Sequence, residues 1–395
     1  MPGMLQVEIV KADGLTAAQV GLWRAMLACN PDLASPYFRP EFAQIAGTVS
    51  PNAAIAIFRR AGEIVGFFPH QTRGGTLQPL GAPMNDYHGM IARAGEAPDL
   101  ETVARLLKAP RLRVGAWVGP VGETEAAAVQ DRETLMVSMP EPGFEPWYAE
   151  RRQTWGKYFK DKERARRSLA AELGEVTVER NLRDPALLNQ LIALKRDQYR
   201  RTGRHDIFDC GWTVDLLHAL LQARGEDDFG ASMAAMWAGG KLVAVEYSLH
   251  AGGRYHFWFP VYEPSLARCS PGILLSMDTM RLASEQGYRV FDFGFGGEGY
   301  KKYFCNATQT VREALVVRPG LGSSVSKGAV GLLNAAGKSR GDRLRTSVRR
   351  RWAAIEACET TRARRFRGAM DAAKVALNKG AERTATRLAQ PEVTG

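Results

Sequence analysis

No run of about 18 apolar residues occurs in the 395-residue chain, so no segment is apolar enough for long enough to cross a bilayer as a helix. The opening MPGMLQVEIVKADG lacks both the basic start and the apolar core of a secretory signal. The five cysteines (Cys29, Cys210, Cys269, Cys305 and Cys358) are odd in number and show no CxxC spacing. That argues for reduced thiols in a cytoplasm and against a zinc site. HExxH, a serine nucleophile elbow and a Walker loop are missing too, so metalloprotease, α/β-hydrolase and P-loop chemistry have no motif to rest on. Acidic charge is also short, with 42 Asp+Glu against 53 Lys+Arg and a net charge of +11. Residues 320–395 hold 16 of the basic and 6 of the acidic residues, so this tail carries +10 and the rest is nearly neutral.

What is present fits an ordinary globular protein with room for two domains: 45% of residues are hydrophobic and 24% charged. The most informative stretch, 270–304, reads SPGILLSMDTMRLASEQGYRVFDFGFGGEGYKKYF. Ser270 suits an N-cap and Pro271 the first helical position, and Gly272 allows close approach of another backbone. Apolar residues then recur at helical spacing from Ile273 to Ala283, and Gly287 is a natural stop. The first turn should offer free N–H groups and a positive dipole end to a phosphate. A short apolar strand ending in Asp292 follows, then a glycine-rich turn with Glu298, Tyr300 and Lys301. These four are the catalytic candidates, because an acid ending an apolar strand is costly unless used or paired.

Two segments match at an offset of 178 residues. RRAGEIVGFFPHQTRGGT, from Arg59, lies over WAGGKLVAVEYSLHAGGR, from Trp237, and each predicts strand, Gly turn, strand, Gly-Gly turn. A helix and a further strand follow in both halves, which points to a duplicated α/β unit. The first-half helix opens with Glu96, Asp99 and Glu101, which would repel a phosphate; the second-half helix carries no acid until Asp278. Between the halves the pattern predicts a helix over 157–173, a strand over 176–179, and helices over 185–199 and 213–223. The boundary is expected near the Pro/Gly-rich 140–146 stretch, giving domains 1–145 and 146–319 and a basic amphipathic helical tail, 320–395. The tail stripe of Leu344, Val348, Trp352, Ile355, Phe366, Met370, Ala373 and Leu377 runs beside clustered arginines. It suggests a surface for anionic lipid, nucleic acid or nucleotide phosphates.

The element order strand, strand, strand, phosphate-facing helix, strand resembles the core of the GNAT acyltransferase fold. SPGILL followed by DFGFGGEGYKKYF resembles the CelD/BcsL-type acetyltransferases, relatives of the FemABX transferases built from two GNAT units. EIVGFFP and LGAPMNDYHGMIA in the first half are similar to further segments of that group. The resemblance spans about residues 5–318 and implies a mixed α/β (α+β) fold of two tandem GNAT-like domains with mixed central sheets. It implies acetyl-CoA or another acyl-CoA as co-substrate, with no metal. The pyrophosphate would sit on Ser270, Pro271 and Gly272, beside Ile273 and Leu274, and the pantetheine along the strand that holds Phe259.

Asp86, Tyr87 and His88, in a Gly-bounded apolar loop, are candidates for the acceptor pocket, as are Arg204 and His205 after a helix. Glu246 and His256 sit on strands and are expected as wall or core residues that touch substrate. By resemblance the activity is N-acylation of an amine, with a small-molecule or lipid-linked amino sugar of exopolysaccharide or cell-envelope synthesis as acceptor. The tail would hold the enzyme on the anionic inner face of the membrane. Alternatives are acylation of a long-chain lipid amine, FemABX-like aminoacyl transfer from tRNA, and a degenerate GNAT whose arginines bind a cyclic dinucleotide. The Q/R-x-x-G-x-G/A loop of single-domain GNATs is missing, which keeps the tRNA alternative open, while the near-neutral body counts against nucleic acid.

Overall fold

A computed structural model describes residues 4–122, 127–296, 299–318 and 351–371. Thirteen strands among them form one mixed sheet. They are β1 (Leu5–Val10), β2 (Ala53–Arg60), β3 (Glu63–Arg73), β4 (Thr76–Pro79), β5 (His88–Gly89), β6 (Arg111–Val118) and β7 (Ala127–Ser138), then β8 (Val176–Leu182), β9 (Gly230–Ala238), β10 (Lys241–Ala251), β11 (Arg254–Tyr262), β12 (Val290–Asp292) and β13 (Ala307–Val317). Across the sheet the order is β1-β2-β3-β4-β6-β13-β7-β12-β11-β10-β9-β8, with β5 added beside β6.

The internal repeat is structural. β2 ends at Arg60 and β9 at Ala238, β3 spans Glu63–Arg73 and β10 Lys241–Ala251, and β4 and β11 begin at Thr76 and Arg254, all at the 178-residue offset. Even the irregularity repeats. The β2–β3 ladder slips by one residue at Val65, and the β9–β10 ladder slips at Val243, its counterpart. The elements between the halves are also as expected, with helices Gly156–Leu173, Pro185–Thr202 and Trp212–Gln222 and strand β8. Asp184 caps the second of these through the Ala186 N–H at 2.8 Å.

The sequence does not reveal how the halves join. β7 leaves the first half and pairs antiparallel with β12 of the second, while β13 returns to pair with β6 of the first. β7 and β13 also pair with each other along most of their length. Each half thus supplies the strand that covers the other's edge, and the backbone bonds of both run through the centre.

The tail segment adds a second join. Residues 351–358 and 362–371 are helical and rest on the body. Ile355, Ala357 and Cys358 are buried, so the expected apolar stripe does not all face outward, although Phe366 and Met370 stay exposed. Glu356 is buried too. It accepts from the Thr76 hydroxyl at 2.9 Å and pairs with Arg113 at 3.2 Å and Arg111 at 3.9 Å, all first-half residues. On the other half, the Trp212 indole donates to the Cys358 carbonyl at 3.2 Å. Removing one member of a buried pair strands its partners. Glu356→Ala is therefore expected to lower unfolding stability by about 3 kcal/mol, read by urea titration, whereas Arg362→Ala on the exposed side should change it by less than about 0.5 kcal/mol.

Candidate active site

β11 and β12 run parallel for only three pairs, the last being His256 opposite Asp292. Beyond that point β11 continues to Tyr262, but the chain after Asp292 stays with β7: Phe293 N–H bonds the Leu135 carbonyl at 2.9 Å and Leu135 N–H bonds the Gly294 carbonyl at 3.1 Å. The two strands diverge, and His256 and Asp292 occupy the vertex.

A loop of the first half closes over this vertex. The Asn85 carboxamide shapes the loop by accepting from Tyr87 N–H and donating to the Leu80 carbonyl. His88 pins it to β6, accepting from Gly115 N–H at 3.0 Å through Nδ1 while Nε2 lies 2.9 Å from the Asn85 carbonyl. Burial pushes His88 down to about 4, so it is a neutral positioning group. With the loop fixed, the Tyr87 hydroxyl donates to Asp292 Oδ2 at 2.5 Å, and Asp86 Oδ2 lies 3.0 Å from His256 Nε2. His256 Nδ1 is 3.5 Å from Asp292, whose Oδ1 accepts from Gly294 N–H at 2.7 Å. The result is a continuous chain, Tyr87–Asp292–His256–Asp86.

Only Asp86 in this chain reaches solvent-accessible space. Its side chain is 31% exposed, against 1% for His256 and 4% for Asp292. Burial alone would lower His256; the Asp292 charge 3.5 Å away and the hydrogen bond with Asp86 outweigh it and hold the imidazole up at about 9. Burial would raise Asp292, and the His256 charge together with its hydrogen bonds brings it below the usual carboxylate value. Two carboxylates thus flank one imidazolium. Asp86 lines a cavity of about 240 Å³ where β4 and β6 diverge, with Gln78, Arg113, Arg132 and Phe295 on its walls. Ala353, Ala354 and Ala357 of the tail segment complete it.

The other sequence candidates lie apart from this vertex or around it. Lys301 is buried and donates to the Phe293 carbonyl at 2.7 Å, which fixes the chain where it leaves β12. Tyr300 sets its ring edge-on against Phe293 and Phe304. Glu298 lies outside the described residues. Arg204 and His205 line a different, polar cavity, so they do not meet Asp86. Glu246 is buried beneath the helix Pro271–Ser284, with Ser276 Oγ 3.5 Å away and burial pushing it up to about 8. Phe259 turns into the core against Phe208 and Trp258 rather than toward the diverging strands.

The helix Pro271–Ser284 begins as expected, but its entry differs. Ser270 adopts φ +50°, makes no side-chain cap, and its carbonyl accepts from both Ile273 and Leu274 N–H. The Leu274 bond is the ordinary first helical bond, but the Ile273 N–H, expected to be free, is used as well. Leu274 is core, and Ile273 packs beside the Phe257–Phe293 cluster. Positive charge comes instead from a residue the sequence reading missed: Lys162 of the helix Gly156–Leu173 donates to Ser270 Oγ at 2.9 Å. Arg164 and Arg268 join it around a cavity of about 410 Å³. The first-half counterpart is the opposite case, since Asp99 caps its own helix through Thr102 N–H at 2.6 Å and fills the anion position with a carboxylate.

The imidazolium at the vertex gives a pH signature. A folded value raised above the unfolded 6.5 means that His256 contributes stability fully below pH 6.5 and loses it as pH rises through about 9. NMR of labelled histidine should find this ring protonated until near pH 9. Asp292→Asn should bring its titration down by at least about one unit, and an unchanged titration would remove Asp292 as its counter-charge.

Residues 156–302 match the family described as an acetyltransferase (GNAT) domain. No curated protein matches the chain. Among solved structures the chain is similar to FemX at 12% identity, with 78% of this chain and 96% of that one covered and a TM-score of 0.48. A C-terminal DUF2156 domain from Agrobacterium fabrum is similar at 12% identity, with coverages of 79% and 97% and a TM-score of 0.46. A tandem GNAT protein from the clavulanic acid biosynthesis pathway is similar at 10% identity, with coverages of 80% and 100% and a TM-score of 0.44. The segment that holds Lys162, His256, Ser270 and Asp292 is the one similar to the GNAT acetyltransferase domain.

Proposed function

We propose that this chain is an acyl-CoA-dependent N-acyltransferase, and that Asp86, supplied by the first half, binds and deprotonates the acceptor amine at the vertex of β11 and β12. The observation that carries the reading is the buried Asp292–His256–Asp86 chain, which ends in a cavity at its only exposed member. Two carboxylates and one imidazolium leave the chain one net negative charge, presented by Asp86 to a cavity whose wall arginines, Arg113 and Arg132, pair with Glu356 and Glu313; an ammonium group suits that carboxylate. Asp86 first takes a proton from the bound ammonium; the neutral amine then attacks the thioester carbonyl, the new N–C bond forms as the C–S bond breaks, and the second proton of the nitrogen passes to the departing thiolate, which leaves as the thiol. His256 and Asp292 do not touch substrate in this scheme; they position Asp86. Lys162, Arg164 and Arg268 beside Ser270 supply charge for the donor's phosphates. Gly272, in the same first turn, lets the Tyr262 ring pack close, since a Cβ on it would lie 3.2 Å from that ring.

A cavity of about 240 Å³ admits a small amine head. Within this reading the first acceptors to test are amino sugars of envelope or exopolysaccharide synthesis, as the CelD/BcsL resemblance suggests. Asp86→Asn should lower kcat by about 10²–10⁴ while acyl-CoA binding, measured by calorimetry, stays unchanged. Gly272→Glu should weaken CoA and acetyl-CoA binding by about tenfold or more, with Gly272→Ala as the steric control. Failure of the native protein to bind CoA, or equal binding by Gly272→Glu, would reject the donor assignment.

A further inference from the structure

A third cavity, about 580 Å³ and polar, lies between the C-terminal end of the helix Pro185–Thr202 and the helical residues 351–371. Three arginines line each side: Arg196, Arg200 and Arg204 from the body, and Arg351, Arg364 and Arg367 from the tail segment. Three of the six have protein partners. Arg196 pairs with Asp206 at 2.8 Å and Asp209 at 3.2 Å, Arg200 pairs with Asp197 at 3.2 Å, and Arg351 donates to the Gly203 carbonyl. The guanidinium groups of Arg204, Arg364 and Arg367 make no hydrogen bond or ion pair among the described residues. Docking one arginine-rich surface on another costs repulsion unless an anion lies between them.

The floor of this cavity also lacks partners. His205 Nε2 and Glu359 Oε2 are buried without a hydrogen bond, and the two side chains stand 3.5 Å apart. Asp371 is the remaining acid of the lining. Six arginines against Asp206, Asp209, Glu359 and Asp371 leave the lining positive. Burial favours the neutral form of both His205 and Glu359, so the floor is polar and the charge sits at the rim. A ligand that fills this shape carries a doubly charged phosphate or diphosphate for the rim and a hydroxyl or amide edge for the floor.

The geometry points to a binding site for a phosphate-bearing small molecule of nucleotide size, held between the body and the tail segment. Its occupancy would act on the active site through one helix: residues 351–358 present Arg351 and Ile355 to this cavity and Ala353, Ala354 and Ala357 to the cavity that contains Asp86. Fixing that helix from one side completes the acceptor wall on the other, so bound ligand should raise affinity for acceptor.

Calorimetry on the full chain with inorganic phosphate, diphosphate, a nucleoside diphosphate and anionic phospholipid vesicles tests this directly. Saturable binding of diphosphate or the nucleoside diphosphate is expected, weakened about tenfold or more by Arg204→Ser or Arg367→Ser, with hydrogen exchange of 351–358 slowed on binding. Both variants change exposed side chains that make no hydrogen bond or close ion pair among the described residues, so their melting temperatures should match the native protein. Gly272→Glu should bind these ligands normally, which separates this site from the donor site. Absence of binding, binding indifferent to both arginine variants, or binding of vesicles alone would overturn the proposal.

Discussion

β7 lies between β12 and β13, and the site depends on that exchange. Without it each half would end in an open sheet edge, and the loop 85–88 would have no fixed relation to the vertex of β11 and β12. The ladders from β7 to both neighbours hold the first half in register with the second. In that register Tyr87 and Asp86 arrive within hydrogen-bond reach of Asp292 and His256. The shared sheet is thus also the device that assembles one site from two copies of a unit.

The buried charges follow from the same constraint. A lone carboxylate at Asp292 would be costly, but it has the Tyr87 hydroxyl, the Gly294 N–H and the His256 ring around it. His256 in turn would shed its proton if buried alone, and two aspartates keep it charged. One of these partners, Asp86, is not spent on structure alone, because its side chain also faces the cavity. The two halves have diverged to match: Asp99 closes the first-half helix, while Ser270 meets Lys162 in the second.

The sequence made the repeating unit legible because glycine turns and alternating strands are local signals, and even the slipped residues Val65 and Val243 fall at its offset. The helices at 156, 185, 212 and 271 were legible for the same reason. Asp86, Tyr87, His256 and Asp292 were each singled out, but as members of separate clusters. Their union depends on contacts 170 and 205 residues apart, which no local pattern encodes. The left-handed turn at Ser270 was hidden because a serine before proline favours an ordinary N-cap. Glu356 was hidden in an arginine-rich tail whose charge pattern reads as a solvated face, although it is the acid by which that tail grips the body.

The central claim is that acyl transfer occurs where β11 and β12 part, over Asp86. A crystal structure of the native protein with bound CoA tests it most directly. The pyrophosphate is expected beside Lys162 and Ser270 and the thiol at the His256–Asp292 vertex, facing Asp86. A CoA whose thiol points away from that vertex, or which binds wholly outside the diverging strands, would contradict it.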